Sequence, residues 1–254
     1  MLEALLTQKI FHFFLVFARV GSALMMLPGI SGRHIPANIR LLVAMGVALV
    51  ATPALSPQLP SMPATVAGQA ILLMGEIAIG LFFGILAEIV LASLHIAGTL
   101  ISLQGGFANA LIFDPITEQQ GSVVTGLLDT IAVTLILVTD AHHLFIRALI
   151  DSYSLFAPGQ IPEVGDFNQA VVRQVSASFL LGIKLASPFI VFSLVVQSAM
   201  GILSKLAPQM QVFFVLLPLQ ILITIALFAI TLPSLMLWFL RHYESVFQAF
   251  LVPG

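Results

Sequence analysis

The sequence predicts an all-α, membrane-associated fold of helical hairpins, about six long apolar segments with a folded loop at the centre. Three observations predict it. Hydrophobic residues fill 59% of the 254 positions and charged residues only 8%, against the roughly 25% charge of soluble domains. Mean hydropathy is +1.12. Apolar stretches stand at about residues 10 to 30, 39 to 55, 69 to 104, 123 to 150, 169 to 203 and 211 to 240, separated by proline and glycine punctuation. The absence of cysteine excludes disulfides, thiolate metal sites and cysteine nucleophiles. A formal net charge of -2 leaves no polybasic face for nucleic acid.

The first segment follows Glu3 and Lys9, contains Arg19 and shows no small-residue cleavage pattern, so it is expected to be retained. Pro28-Gly29 to Pro36 closes it. The second segment runs into Pro53, Pro57, Pro60 and Pro63, which read as a short extended connection. The third is too long for one straight span: at 1.5 Å per residue it measures on the order of 50 Å, against a hydrocarbon core of about 30 Å. Glu76, Gly80, Gly84 and Glu88 repeat every four residues along it. That spacing places acidic and small residues on one helix face, which should meet another backbone closely. Tight packing within the chain, an ion pathway and a seam between subunits all remain open for this face.

Gly105 to Ser122 is the longest interruption of the apolar helical pattern, and it is itself partly apolar through Phe107, Leu111, Ile112, Phe113 and Ile116. Gly105 and Gly106 let the backbone leave a helix, while Asp114-Pro115 suits an N-cap followed by a first helical position. From the residues alone this is either an interhelical connection that fills a gap or a gate, lid or plug.

The fourth segment holds Asp129 and then Asp140-Ala141-His142-His143, with Asp151 beyond. Adjacent helical histidines point about 100° apart and no HExxH occurs, which argues against a metal site. Asp140 and His143 are placed to pair across one turn as a polar clamp. Arg19, Glu76, Glu88, Asp129 and Lys184 lie inside apolar runs, where facing lipid would cost about 2.5 to 3.5 kcal/mol each. They should face protein or water. A proton relay through Glu76, Glu88, Asp129 and the histidine cluster is the sharper alternative, and with it a secondary transporter or proton channel.

The fifth segment, again about 50 Å long, contains Pro188. It leads to Lys205-Leu206-Ala207-Pro208-Gln209-Met210-Gln211, a polar break that reads as the tip of a helical hairpin. The last segment is interrupted by Pro218 and Pro233 and closes on Trp238, Arg241, His242 and Tyr243 in the manner of an interfacial belt. Lysine and arginine are spread too evenly among the loops to orient the chain. No G-x-S-x-G, Walker or dinucleotide motif is present, so neither an enzyme nor a bound cofactor is expected.

Several of these motifs, in this order and spacing, resemble the FliR-type component of the flagellar type III export apparatus, the SctT type in virulence systems. They are Arg33 to Pro36 with Arg40, Gly105-Gly106-Phe107, Asp114-Pro115 and Gln119, Asp140 to His143, and Ala207-Pro208-Gln209. Ala141 departs from the pattern, which has glycine between the aspartate and the paired histidines. The resemblance implies one copy of this chain in a non-enzymatic export gate with FliP-type and FliQ-type subunits, in the bacterial inner membrane at the flagellar basal body. Unfolded protein substrates would pass through it. A FliP-like half would cover residues 1–160 and a FliQ-like half residues 161–254. The same resemblance gives the central loop a re-entrant, plug-like role carried by Gly105, Gly106, Phe107, Asn109, Phe113, Asp114, Pro115, Gln119 and Gln120. Lys205, Pro208 and Gln209 would lie at the cytoplasmic base, where FlhB-type and FlhA-type components dock. Glu76, Gly80, Gly84, Glu88, Asp140, His142 and His143 would serve packing between subunits.

Overall fold

A computed structural model describes residues 2–29, 35–107, 123–159, 164–206 and 212–251. Among them the chain is helical and contains no strand. The helices are α1 (Leu2–Met26), α2 (Ala37–Leu55), α3 (Val66–Gln104), α4 (Val123–Val138), α5 (Ala141–Leu155), α6 (Val164–Leu206) and α7 (Val212–Gln248), with a 3-10 turn at Ser56–Gln58. Five helices are long and apolar enough to cross a membrane, and α4 with α5, bent by 69° at their break, makes six when counted as one span.

α3 and α6 are continuous over 39 and 43 residues, which at 1.5 Å per residue is roughly 60 Å each. Pro188 stays inside α6. Neither helix fits wholly within a hydrocarbon layer of about 30 Å. Three readings of the sequence change. Pro53 lies within α2 rather than in an extended connection; so near the helix end it forfeits one ladder bond and leaves the following turn intact. The fourth segment is two helices, because Asp140 takes a left-handed conformation at φ 59 and ψ 15, which turns the chain out of the α-ladder. Tyr243 is buried rather than interfacial, and α7 runs past it to Gln248.

The described contacts group into two compact units. The first comprises Met1–Val90, Val133–Val175 and His242–Gly254. Its core is aromatic: Phe82 lies against Phe167 with ring centroids 4.2 Å apart, Phe83 against Phe250 at 4.9 Å, and Phe145 and Tyr243 against Phe247 at 5.1 and 4.8 Å. Edge-on and tilted pairs at these distances add about 0.5–1.5 kcal/mol each beyond their buried area. The second unit comprises Leu91–Ala132 and Ser176–Arg241, with Phe189 and Phe228 paired at 6.2 Å.

In the first unit His12 of α1 anchors the proline-rich connection. Its Nε2 lies 3.1 Å from the Pro60 carbonyl and its Nδ1 3.1 Å from Ser56 Oγ. A carbonyl only accepts, so Nε2–H donates to Pro60, and the neutral ring then accepts from Ser56 through Nδ1. His12→Ala is expected to lower thermal stability by about 1–2 kcal/mol, because both partners lose a hydrogen bond. An unchanged melting temperature for the detergent-solubilised chain would show the connection to be held by other contacts.

Candidate functional site

Two constellations use the ionisable and small residues that stand out in the sequence, one in each unit. In the first unit Arg19 is fully buried at the crossing of α1 and α3. Its Nε donates to Glu76 Oε2 at 2.7 Å and its Nη2 to Glu76 Oε1 at 3.0 Å, a bidentate pair. Nη1 donates to Ser152 Oγ of α5 at 3.0 Å, and Nη2 also reaches the Phe156 carbonyl at 2.9 Å. The guanidinium carbon lies 3.7 Å from the centroid of the Tyr153 ring. The fork geometry matches a carboxylate, and the flat cation stacks on an aromatic face, so arginine rather than lysine suits this position.

The helices approach closely enough for this because α3 presents glycine. A Cβ on Gly80 would run into the Arg19 carbonyl and Ser22 Oγ, and one on Gly84 would lie 2.6 Å from Met26 Cβ. The four-residue stripe of Glu76, Gly80 and Gly84 is therefore pressed against α1 within this unit, while Glu88, one step further on, is half-buried. Removing the side chains lets the two backbones meet, and the salt bridge then sits in the crevice they form.

In the second unit the end of α3 is tied to α7. Gln220 Nε2 donates to the Gln104 carbonyl at 2.8 Å, and Thr224 Oγ1 lies 3.5 Å from the Gly105 carbonyl while donating to Gln220 O at 2.7 Å. Both side chains are buried. The two glycines are needed for different reasons. Gly105 has no space for a side chain, since a Cβ would lie 2.6 Å from Thr224 Cγ2 and 2.8 Å from Ile101 O. Gly106 has space, its nearest neighbour being 3.6 Å away, but its φ of +83 is costly for any other residue. The Gln104 carbonyl, which the helix end leaves unpaired, thus finds a donor on α7, the Gly105 carbonyl lies beside Thr224, and the chain turns immediately after them. Phe107 is half-buried beyond the turn. Asn109, Phe113, Asp114, Pro115, Gln119 and Gln120 lie outside the described residues, as do Arg33, Pro208 and Gln209. Lys205 is exposed in the last turn of α6.

Asp129, the third carboxylate of the relay alternative, accepts from His95 Nε2 at 2.7 Å within the second unit. Asp140 and His143 pair at 3.2 Å in the first, both largely exposed. Gln220 and Thr224 escape motif-based reading, although two polar residues four apart in an apolar helix carry the signal. Ser152 gives no such signal, being 133 residues from the arginine it serves.

Residues 10–246 match the family described as bacterial export proteins, family 1. The chain is 38% identical to the flagellar biosynthetic protein FliR of Caulobacter vibrioides over 91% of its own length and 92% of the relative's. It is 29% identical to the Escherichia coli protein of that name, over 93% and 90%. Similarity extends to the secretion system apparatus protein SsaT of Salmonella typhimurium, 24% identical over 68% of this chain and 65% of the relative.

Proposed function

This chain belongs to family 1 of the bacterial export proteins, and we propose that it acts as the gating subunit of a flagellar type III export apparatus. It is a membrane component of secretion machinery and not an enzyme. In this reading one copy assembles with FliP-type and FliQ-type subunits in the inner membrane, residues 1–160 taking the FliP-like part and residues 161–254 the FliQ-like part. Unfolded substrates pass through the assembly, and FlhB-type and FlhA-type components dock at its base near Lys205, Pro208 and Gln209. The loop from Gly105 to Ser122 closes the path by packing its apolar side chains and amides across a narrow pore.

The observation that carries this reading is the similarity to the Caulobacter FliR over nine-tenths of both chains. Two features of the chain support it. Side chains such as Val191, Leu194 and Val195 on α6 and Leu222, Ile225 and Ile230 on α7 are more than half exposed, surface that suits lipid or neighbouring apolar helices. The stem of the loop is clamped and ends in glycine, as suits a segment that is held and then released.

Expressing the chain with and without FliP-type and FliQ-type partners, purifying it in mild detergent and measuring mass tests the assembly. A single large complex with one copy of this chain is expected. A monomer or homodimer indifferent to those partners would overturn it and bring forward the transporter reading.

A further inference from the structure

Three metal-ligating side chains converge at the break between α4 and α5. One oxygen of Asp140, one ring nitrogen of His142 and one of His143 all lie within 4.8 Å of one another. The roughly 100° divergence of adjacent helical positions does not keep the two rings apart: their centroids are 4.1 Å apart and their planes inclined by 35°. They occupy the first turn of α5, directly after the left-handed Asp140 that brings its carboxylate back over the helix start. His143 Nδ1 is 3.2 Å from Asp140 Oδ1, and His142 Nδ1 lies 3.3 Å from the Ile136 carbonyl at the end of α4.

That last contact fixes a tautomer. The Ile136 carbonyl can only accept, so His142 carries its proton on Nδ1 and leaves the Nε2 lone pair open. A ring held through one nitrogen by a backbone carbonyl and open at the other is the usual arrangement of a metal-bound histidine. Two imidazoles and one carboxylate suit a borderline transition ion rather than Mg2+ or Ca2+, which call for more oxygens. Zinc requires bonds of about 2.0–2.2 Å in a tetrahedron, with ligand atoms about 3.5 Å from one another. Exposed side chains at 68% and 74% can close the remaining gap by small rotations.

We propose that Asp140, His142 and His143 form a surface site for a late first-row divalent ion, with Zn2+ as its natural occupant. Three protein ligands leave the fourth position to water or to a donor from a neighbouring molecule. The carboxylate offsets part of the cation's repulsion by the helix N-terminus. Binding pins the first turn of α5 to Asp140, at the point where the chain bends.

The test uses the full chain in detergent, carrying an affinity tag without histidine, stripped with chelator and titrated with Zn2+ against a chromophoric chelator. One equivalent per chain is expected, bound with micromolar affinity. Co2+ in its place should give the intense visible bands of a tetrahedral N/O site. His142→Gln, His143→Gln and Asp140→Asn should each weaken binding roughly tenfold or more, with helical circular dichroism unchanged because asparagine tolerates the left-handed conformation. His95→Gln should leave binding unchanged. Failure of the parent chain to take up Zn2+, or stoichiometric binding that survives the three ligand substitutions, would overturn the proposal.

Discussion

Replacing Arg19 by Met is expected to destabilise the folded chain by about 3–5 kcal/mol, because it leaves the Glu76 carboxylate buried with no cation to pair. That is a large share of the total stability of most proteins, about 5–15 kcal/mol, so the variant should be nearly absent from purified complex. Glu76→Leu should be as damaging for the opposite reason, a buried guanidinium with five N–H donors and too few acceptors. The double variant separates two roles for the pair. If Arg19 and Glu76 serve only to join α1 to α3, Arg19→Met with Glu76→Leu removes both charges and should recover much of the stability and of the export. Ser152 still donates to Leu149 O, while the Phe156 carbonyl loses its arginine donor. If Glu76 passes protons, the double variant should assemble and fail to export. A melting temperature for Arg19→Met equal to the parent's would show the pair to be dispensable. The bidentate geometry argues for the joining role, since both carboxylate oxygens are engaged by the one guanidinium.

Local pattern made part of this site legible. Gly80 and Gly84 follow Glu76 at four-residue spacing, and that alone places them on one face suited to close approach. Arg19 stands out as a charge in an apolar run. What pairs with it does not, because Glu76 and Ser152 are 57 and 133 residues away and no spacing rule reaches that far. The break at Asp140 was hidden for another reason. Asp-Ala-His-His contains neither glycine nor proline, and a left-handed aspartate is one of the few non-glycine exceptions, here the only one among the described residues. A proline misled in the opposite direction: Pro53 sits inside a helix, where packing by neighbouring elements outweighs one missing bond. Tyr243 followed the interfacial statistics of its type in the sequence, yet its ring is drawn into the cluster of Phe145 and Phe247.

The second large effect is expected at Gly106. A Cβ there makes only ordinary contacts, but a β-branched residue such as valine at a φ of +83 costs about 1–3 kcal/mol in backbone strain. The chain relieves that strain by leaving the turn, and doing so pulls the Gln104 carbonyl from Gln220. Asparagine tolerates the same φ and provides the control. Gln220→Leu attacks the clamp from the other side, removing the donor to Gln104 O for about 1 kcal/mol without touching the loop. Because the chain contains no cysteine, a single Phe107→Cys reports on the stem by its labelling rate in the assembled complex. Under the plug reading, Gly106→Val should raise both that rate and the leakage of small solutes from membrane vesicles by roughly tenfold or more, as an opening equilibrium shifted by about 1.4 kcal/mol requires. Gln220→Leu should act in the same direction and less strongly, and Gly106→Asn should behave as the parent. Faster labelling with vesicles as tight as the parent's would separate the two properties. The stem would then open without opening a path, and the loop would be a fixed connection whose seal lies in other residues.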